Sequence, residues 1–565
     1  MKRIVELALL VTCLVGVSWG GYRAALPPEP ELSRFAPAGA LLYLQAKDFS
    51  SLLSDWDKSS EKEKWVRSKN YDVFVESRLL LRLKDAAGEF STAAGVPVNN
   101  SILHQVAGKQ SALALYDIGK LEFLYITRIS SGDAMQSALW QGRSKFETRN
   151  AGGVNFFYRA EPDSGREVSF AVTGDYLLLS TRQDLMASAL QLIAGGNAHS
   201  VEEEAWWQRP VAAAGAPGEL RMVLNLEKIT STPYFRSYWI QRNITDMKQY
   251  NAAISDLTRS GSEYREERLL FKKNAAPQDP STTKDAAAVA DLLRLVPANT
   301  GIYEAKANPS PKDNLELLTV KILAPHLGPA AVQKLAPEVN LGNGETGSAS
   351  DLETRIDEAP SQNPVSTDNR SGLENVLSRH KVLAQLQLQG TERDASGVFV
   401  RIHSAIAFAS DANWDEKEIH TALSEFVRPG LTSGQLGVEW KSASGYSALD
   451  GLWPLAVAVS GKYLIISDNP ALLANVLANL NQNLSAPAAL FAAGFDHRGE
   501  RENFAALTKF LNVGAQSGGA GATPDFFSEN IASLSFVLQN VSSEKIVIRD
   551  TTDRQTQTVT YEWAR

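Results

Sequence analysis

Two periodicities alternate along the chain. Short runs place apolar and polar residues in turn, and longer stretches carry apolar residues three and four apart. Ser111 to Asp117 and Leu121 to Ile129 are runs of the first kind, and Ile118-Gly119-Lys120 between them predicts a hairpin. A second hairpin is predicted at Thr173-Gly174-Asp175, where glycine supplies a positive φ ahead of Tyr176 to Ser180. Leu185, Ala189, Leu192 and Ile193 then share one face of a helix that Thr181 is placed to cap. Further strands run through Val154 to Arg159 and around Tyr446. Helices are predicted at Asp133 to Gln141 and Trp414 to Val427, and a longer amphipathic one carries Val73, Leu80, Leu83, Ala87 and Phe90 on one face.

Several of these elements occur twice. Pro37-Ala38-Gly39-Ala40-Leu41-Leu42-Tyr43 returns 260 positions later as Pro297-Ala298-Asn299-Thr300-Gly301-Ile302-Tyr303. The run from Ala171 to Ser180 returns 287 positions later as Ala458 to Ser467, with Ser460-Gly461-Lys462 in place of the first turn. Behind the second hairpin, Asp468 or Asn469 caps, Pro470 opens a helix, and Leu472, Leu473, Val476, Leu477 and Leu480 follow at helical spacing. Val398 to Phe408 is the counterpart of the strand at Leu121 to Ile129. Each copy closes with strand, helix and strand. These are Leu220 to Leu226, Tyr234 to Leu257 and Glu266 to Lys272 in the first copy. In the second they are Ala488 to Phe495, Glu502 to Leu511 and a terminal pair at Ile531 to Leu538 and Thr556 to Trp563. The expected class is α+β: two tandem, duplicated modules of mainly antiparallel sheet with packed helices. Strict βαβ alternation is missing, which argues against a doubly wound parallel sheet.

Ahead of the modules, Met1-Lys2-Arg3 precedes a mostly apolar stretch from Ile4 to Gly21 whose one charge is Glu6. Eighteen helical residues span roughly 27 Å, near the lower limit for crossing a bilayer. The stretch reads either as a signal peptide cut near Ser18 and Gly20 or as an uncleaved signal anchor. In both cases the remainder is exported to the periplasm or to the periplasmic face of the inner membrane. The expected organisation is a signal segment at 1–21, a Pro-rich spacer at 22–34, module one at 35–273, a linker and lead-in helix at 274–292, and module two at 293–565. The spacer holds Leu26-Pro27-Pro28-Glu29-Pro30, and the linker opens in the polar run Asn274 to Lys284. Module two contains an acidic insertion, 338–374, with eight acidic, two basic and eight apolar residues among 37. It buries too little apolar surface to offset its ordering entropy and is expected to be disordered.

Composition narrows function by exclusion. The 56 Lys and Arg against 64 Asp and Glu give a net charge of −8, and no basic footprint for nucleic acid is present. The single cysteine, Cys13, lies in the apolar leader, so the exported part holds no disulfide and no thiolate nucleophile. The seven histidines form no HExxH pair, and neither a GxSxG elbow nor a phosphate loop occurs beyond the apolar leader. Gly342-Asn343-Gly344-Glu345-Thr346-Gly347 has the spacing GxGxxG, but its acidic surroundings repel phosphate and it reads as a loop. His403 alternates with Arg401 on one strand face, with Val400, Ile402 and Ile406 on the other, and reads as a solvated position. Asp496-His497-Arg498 reads as a charged turn after a strand. Glu202-Glu203-Glu204 beside Trp206-Trp207 reads as a loop entering a packed edge. No residue is assigned to catalysis, to a cofactor or to a metal.

One cluster is a candidate surface for a ligand or partner. Tyr234 and Tyr238, and Phe235 and Trp239, are i, i+4 pairs on a predicted helix, suited to an apolar groove or to packing on the sheet. From Arg221 to Lys273 ten basic residues face six acidic ones, a balance that suits anionic lipid head groups or a solvated helix face.

The strand Pro37 to Tyr43, the Gly-x-x-x-Ala-Leu strand Gly108 to Leu113 and the Gly-x-Tyr-Leu-x-x-Ser hairpin Gly174 to Ser180 carry a family resemblance. Across most of module one, and more loosely module two, the chain resembles a bacterial family of exported proteins, domain of unknown function 3352. The resemblance implies an envelope protein without assigned catalysis, and it brings no active site to carry over.

Three functions follow as expectations. The first is a non-enzymatic envelope protein, membrane-tethered or periplasmic, that binds or scaffolds. Its partners would be the inner membrane, through residues 4–21, and an envelope protein or lipid. The second is a carrier of an apolar, lipid-like ligand, which requires an apolar cavity of about 300 Å³ or more. The third is a hydrolase built from dispersed residues, which requires a cleft where titratable groups converge.

Overall fold

The computed structural model describes residues 29–233, 247–274, 280–324, 371–393, 400–432, 439–449, 454–480, 482, 486–503 and 540–564. Among these residues the period-two runs form twenty strands. In the first half these are β1 (Leu42–Ala46), β2 (Ser111–Asp117), β3 (Glu122–Arg128), β4 (Glu147–Ala151) and β5 (Val154–Ala160). They continue as β6 (Glu167–Thr173), β7 (Tyr176–Ser180), β8 (Leu220–Leu224), β9 (Tyr250–Ser260) and β10 (Glu263–Lys272). The second half supplies β11 (Ile302–Ala307), β12 (Val382–Arg393), β13 (Val400–Ser410), β14 (Lys441–Ala443) and β15 (Tyr446–Leu449). It ends with β16 (Leu455–Ser460), β17 (Tyr463–Ser467), β18 (Phe491–Asp496), β19 (Val541–Asp550) and β20 (Arg554–Trp563).

All pairings are antiparallel. Across the sheet the first half runs β4-β5-β6-β7-β3-β2-β1-β8-β9-β10. Without a break the second half continues as β20-β19-β18-β11-β12-β13-β17-β16-β15-β14. Adding ten to a strand number therefore turns every pairing of the first half into one of the second. Gly174 and Gly461 sit at the first position of matching two-residue loops, with φ of 53° and 57°, the backbone that a tight hairpin asks of glycine.

The two halves meet at the pairing of β10 with β20. Register runs Tyr43, Val223, Ile254, Leu269 in the first half and Tyr303, Gly494, Lys545, Thr560 in the second, so Leu269 and Thr560 are counterparts. Across the seam Leu269 meets Thr556 and Thr560 meets Arg265. That register has a local two-fold axis at the pair Glu267 and Thr558, which are counterparts of each other. Lys272 Nζ donates to Asp550 Oδ2 at 2.7 Å, and Arg209 reaches Asp553 at 3.2 Å, tying first-half residues to second-half ones beside the seam.

Helices cover both faces of the sheet. A 3₁₀ turn at Leu32–Phe35 lies on one face of the first half with the helices Gln183–Ile193 and Ala205–Ala214. They bury Tyr43, Leu124, Leu178, Met186 and Leu190. Trp207 meets the Tyr43 ring edge-on at 4.8 Å. The opposite face carries the connection between β1 and β2. It consists of α1 (Phe49–Lys58), α2 (Ser60–Val66), α3 (Lys69–Val75), α4 (Arg78–Ala94) and α5 (Asn100–Val106). In chain order the two helices of the first face are α6 (Gln183–Ile193) and α7 (Ala205–Ala214). The second half has α8 (Pro280–Leu293) and α12 (Pro470–Leu480) on one face, packed on Leu386 and Ile465. Its other face carries α9 (Pro311–Leu318), α10 (Ser371–Arg379) and α11 (Glu416–Thr432), packed on Ile406 and Phe408.

Several expectations are corrected. The helix carrying Val73 to Phe90 is two helices, α3 and α4, because the Ser77 hydroxyl caps α4 by accepting from Leu80 N at 3.3 Å. The helix expected over Tyr234 to Leu257 gives way to a strand from Tyr250, where Ala252 and Ile254 alternate into the core. Thr181 does not cap α6, since its hydroxyl accepts from Phe123 N on the neighbouring strand at 2.8 Å. Asp133 to Gln141 forms two short turns, 131–134 and 138–141, rather than one helix. The spacer at 22–34 ends inside the body, where Leu32 is fully buried. The linker run Asn274 to Lys284 becomes helix from Pro280, and the acidic insertion 338–374 ends in α10, where Leu373 is fully buried. Residues 497–503 are helical. The rest of the helix expected at Glu502 to Leu511, the strand at Ile531 to Leu538 and the leader 1–21 lie outside the described residues. Among the described residues no helix is long and apolar enough to cross a membrane.

Candidate functional site

The faces of the two halves that carry the β1–β2 and β11–β12 connections differ in chemistry. On β1 the side chains of Leu42, Leu44 and Ala46 point to that face, and they pair with Leu115, Leu113 and Ser111 of β2. The counterparts on β11 and β12 are Ile302, Glu304 and Lys306 paired with Gln389, Gln387 and Gln385. The central pair of the same backbone register is thus Leu44 with Leu113 in one half and Glu304 with Gln387 in the other. The fold does not demand an apolar surface there.

Above the leucines the helices leave a space. A cavity of about 480 Å³ lies between the sheet and α4 and α5. Its floor is Leu44, Leu113, Leu115, Phe123 and Leu179, and its roof is Leu83, Ala87, Phe90, Ile102 and Val106. Glycine ends the roof helix: Gly95, at φ 67°, closes α4, so that Val96 and Val98 turn back over the space. Few polar atoms enter the lining. Tyr125 Oη donates to the Val106 carbonyl at 2.9 Å and Ser111 Oγ lies 2.6 Å from Thr127 Oγ1, so these hydroxyls are spent within the wall. Leu44, Leu83, Val98 and Leu103 are between 36% and 41% exposed. Water against such a wall costs about 25 cal/mol per Å² of apolar surface, and the volume falls in the usual range for ligand sites, about 300–1,000 Å³.

At one wall the apolar cavity meets a charged recess of about 600 Å³. Arg166 and Thr181 line both spaces. Arg166, the residue before β6, is 9% exposed; its Nη1 donates to the Lys120 carbonyl at 2.7 Å and its Nη2 to Glu89 Oε2 at 2.5 Å. Its Nε is buried without an acceptor among the described residues. Glu89 is also within 3.6 Å of Arg82, and the Arg166 bond holds its carboxyl below the usual carboxylate range. Across the recess Arg182 bridges Glu122, at 3.2 Å, and Asp184, whose carboxyl is held low by that guanidinium against the effect of burial. Glu167 accepts from Gln183 N at 2.9 Å. Titratable groups converge here, but Glu89 and Asp184 are held in their charged form by arginines, the opposite of a general acid or base poised near neutrality.

The remaining candidates are dispersed. Tyr234, Phe235, Tyr238 and Trp239, like Gly342 to Gly347 and His326, lie outside the described residues. His403 is not a freely solvated position: its ring lies 3.2 Å from Glu392 and 3.8 Å from Asp468. Ile402, placed with the apolar residues of the other face, is 44% exposed. His497 is buried against the Phe495 ring at 4.2 Å and 3.8 Å from Glu544, rather than lying in an open charged turn. His104 pairs with Asp57 at 2.6 Å, and His199 with Glu203 at 2.6 Å. Glu202 accepts from Ser33 Oγ at 2.5 Å and Glu204 from Gly39 N at 3.0 Å, so the acidic run ties down the entry to β1. No group of three His, Cys, Asp or Glu side chains suited to a metal occurs among the described residues. A polar groove of about 1370 Å³ lies along Lys47, His104, Lys109 and Arg128, at the far ends of β1 to β3.

No family model and no curated protein matches the chain. Among solved structures, crystal forms I, III and IV of TP0453 are similar at 11% identity. They cover 45% or 46% of this chain and 83% to 88% of theirs, with TM-scores of 0.23 and 0.24. A TM-score that low supports no transfer of function, and the reading of the site rests on its own geometry.

Proposed function

We propose that this protein is an exported, non-catalytic member of the bacterial envelope that holds an apolar, lipid-like molecule between the sheet of its first half and helices α4 and α5. The observation that carries the reading is the contrast between Leu44 and Leu113, on the cavity floor, and Glu304 and Gln387 at the same register of the second half. Leucines that the fold can do without, placed around a space of ligand size, are accounted for by a ligand. The basic leader and apolar stretch at the N-terminus support export, and the family likeness to domain of unknown function 3352 supports an envelope role. The common strand order of the halves supports descent from one duplicated module, with the cavity kept or acquired in the first copy.

The test is lipid extraction from the full chain purified from the envelope fraction, followed by mass spectrometry. About one apolar molecule per chain is expected, with a Leu44→Glu/Leu113→Gln variant emptied of it. Equal lipid in variant and parent, or none in either together with no uptake of an apolar fluorescent probe, would remove the basis for a carrier.

A further inference from the structure

The charged recess bears on what kind of apolar molecule the cavity takes. We propose that the occupant is an amphiphile with one acidic oxyanion head, its chain in the apolar cavity and its head received by the guanidinium of Arg166 and the ammonium of Lys120. This rests on the carrier reading and specifies its ligand.

Three observations carry it. First, the apolar cavity and the charged recess adjoin, with Arg166 and Thr181 lining both. A molecule that fills one space meets the other at the Arg166 wall. Second, Arg166 is more than nine-tenths buried, and one of its donors, Nε, has no acceptor among the described residues. A desolvated guanidinium with an unused N–H is costly to keep unless something else accepts from that group. Third, cations are in excess around Arg166. Arg82 and Arg166 share the single carboxylate of Glu89, and Lys120 adds a further cation to the recess lining. Elsewhere in the recess the cation Arg182 is matched by Glu122 and Asp184. The positive excess therefore lies at Arg166, the cation that lines both spaces. An acid entering head-first from the cavity meets cations, whereas an amine meets like charge. A guanidinium fork suits carboxylate and phosphate oxygens equally, so both heads belong to the proposal.

The experiment uses the full chain in an amphipathic polymer at pH 8, loaded with the fluorescent probe N-phenyl-1-naphthylamine. Dodecanoic acid, dodecyl phosphate, dodecanol and inorganic phosphate are titrated separately. The two acids are expected to displace the probe at concentrations at least tenfold below that of dodecanol, with inorganic phosphate inert. Arg166→Gln and the exposed-site variant Lys120→Gln are each expected to shrink that ratio at least threefold while leaving dodecanol displacement unchanged. Lys120→Gln keeps the test open should Arg166→Gln fail to fold. Equal displacement by acid and alcohol in the parent chain overturns the proposal and leaves the carrier reading standing, as does an acid preference untouched by Lys120→Gln. Probe binding that no chain-bearing compound reverses, or no probe binding at all, overturns the carrier reading itself.

Discussion

Ser180 and Ser467 hold equivalent places and make the same hydrogen bonds. Each hydroxyl accepts from the backbone N–H two residues on, at 3.1 Å from Arg182 and 3.0 Å from Asn469. Each lies within donating distance of the carbonyl across the strand pair, 3.1 Å at Phe123 and 2.8 Å at Ser404. Beside them Thr181 and Asp468 accept from Phe123 N and Ser404 N, both at 2.8 Å. The knot fixes the chain as it leaves the hairpin for its helix.

Removing either hydroxyl leaves the N–H of Arg182 or Asn469 without its partner, while the Phe123 and Ser404 carbonyls still accept from Thr181 N and Asp468 N. Ser180→Ala and Ser467→Ala are each expected to cost about 1–3 kcal/mol, by similar amounts, in urea unfolding monitored by circular dichroism. A neutral result at either site would show that the knot is geometry without energetic weight.

Asp468 differs from Thr181 in carrying a charge. Burial raises its carboxyl above the ordinary value, with the Ser404 bond and His403 pulling the other way. A raised carboxyl binds its proton more tightly in the folded chain. Its contribution to stability is therefore full below the unfolded value of about 3.9 and is lost as pH rises through the folded one. Asp468→Asn keeps an acceptor for Ser404 N and removes the charge. The variant is expected to melt higher than the parent at pH 7, with the difference closing as pH falls toward 4. A difference independent of pH would contradict this.

Leu44→Glu with Leu113→Gln copies Glu304 and Gln387 onto the cavity floor. Because the second half carries these side chains at the same register, the melting temperature is expected to move by no more than a few degrees while apolar-probe affinity falls at least tenfold. Loss of folding in this variant would mean that the leucines serve the core.

Gly494 has no room for a side chain. A β-carbon there meets the ring of Tyr303 at 2.3 Å, although Tyr43 tolerates Val223 at the matching place. Gly494→Ala is expected to destabilise by about 1–3 kcal/mol through overpacking. Gly390→Ala, with nothing within 4 Å of the new atom, is the matched control and is expected to be silent.

Much of the scaffold was legible because its signals are local. Glycine between strand-like runs marks the hairpins at Gly174 and Gly461, and Asn469 followed by Pro470 marks the start of α12, where Asn469 Oδ1 accepts from Leu472 N at 3.0 Å. The strand at Tyr250 was misread because apolar residues spaced for a helix also occur in a strand whose buried side is alanine and isoleucine. The cavity has no local signal: each leucine at its floor looks like a core position until the neighbours that fail to reach it are placed. One clue was present in the repeat itself, where Leu44 answers to Glu304. The recess was out of reach, since Glu89 and Arg166 are 77 residues apart and meet through tertiary packing.

The seam at Glu267 and Thr558 sets a timetable for the chain. Synthesis delivers the first half before β20 exists, so β10 waits as an open edge able to pair with a stranger. Since β10 and β20 are counterparts meeting about a two-fold axis, two waiting chains have the geometry to zip β10 against β10, with Glu266 opposite Arg268 on either side of the centre. At that centre the stranger would bring glutamate against glutamate, a repulsion of directly opposed like charges. Thr558 is what the chain's own last strand offers instead, so a single position favours self-closure over entanglement with a sibling.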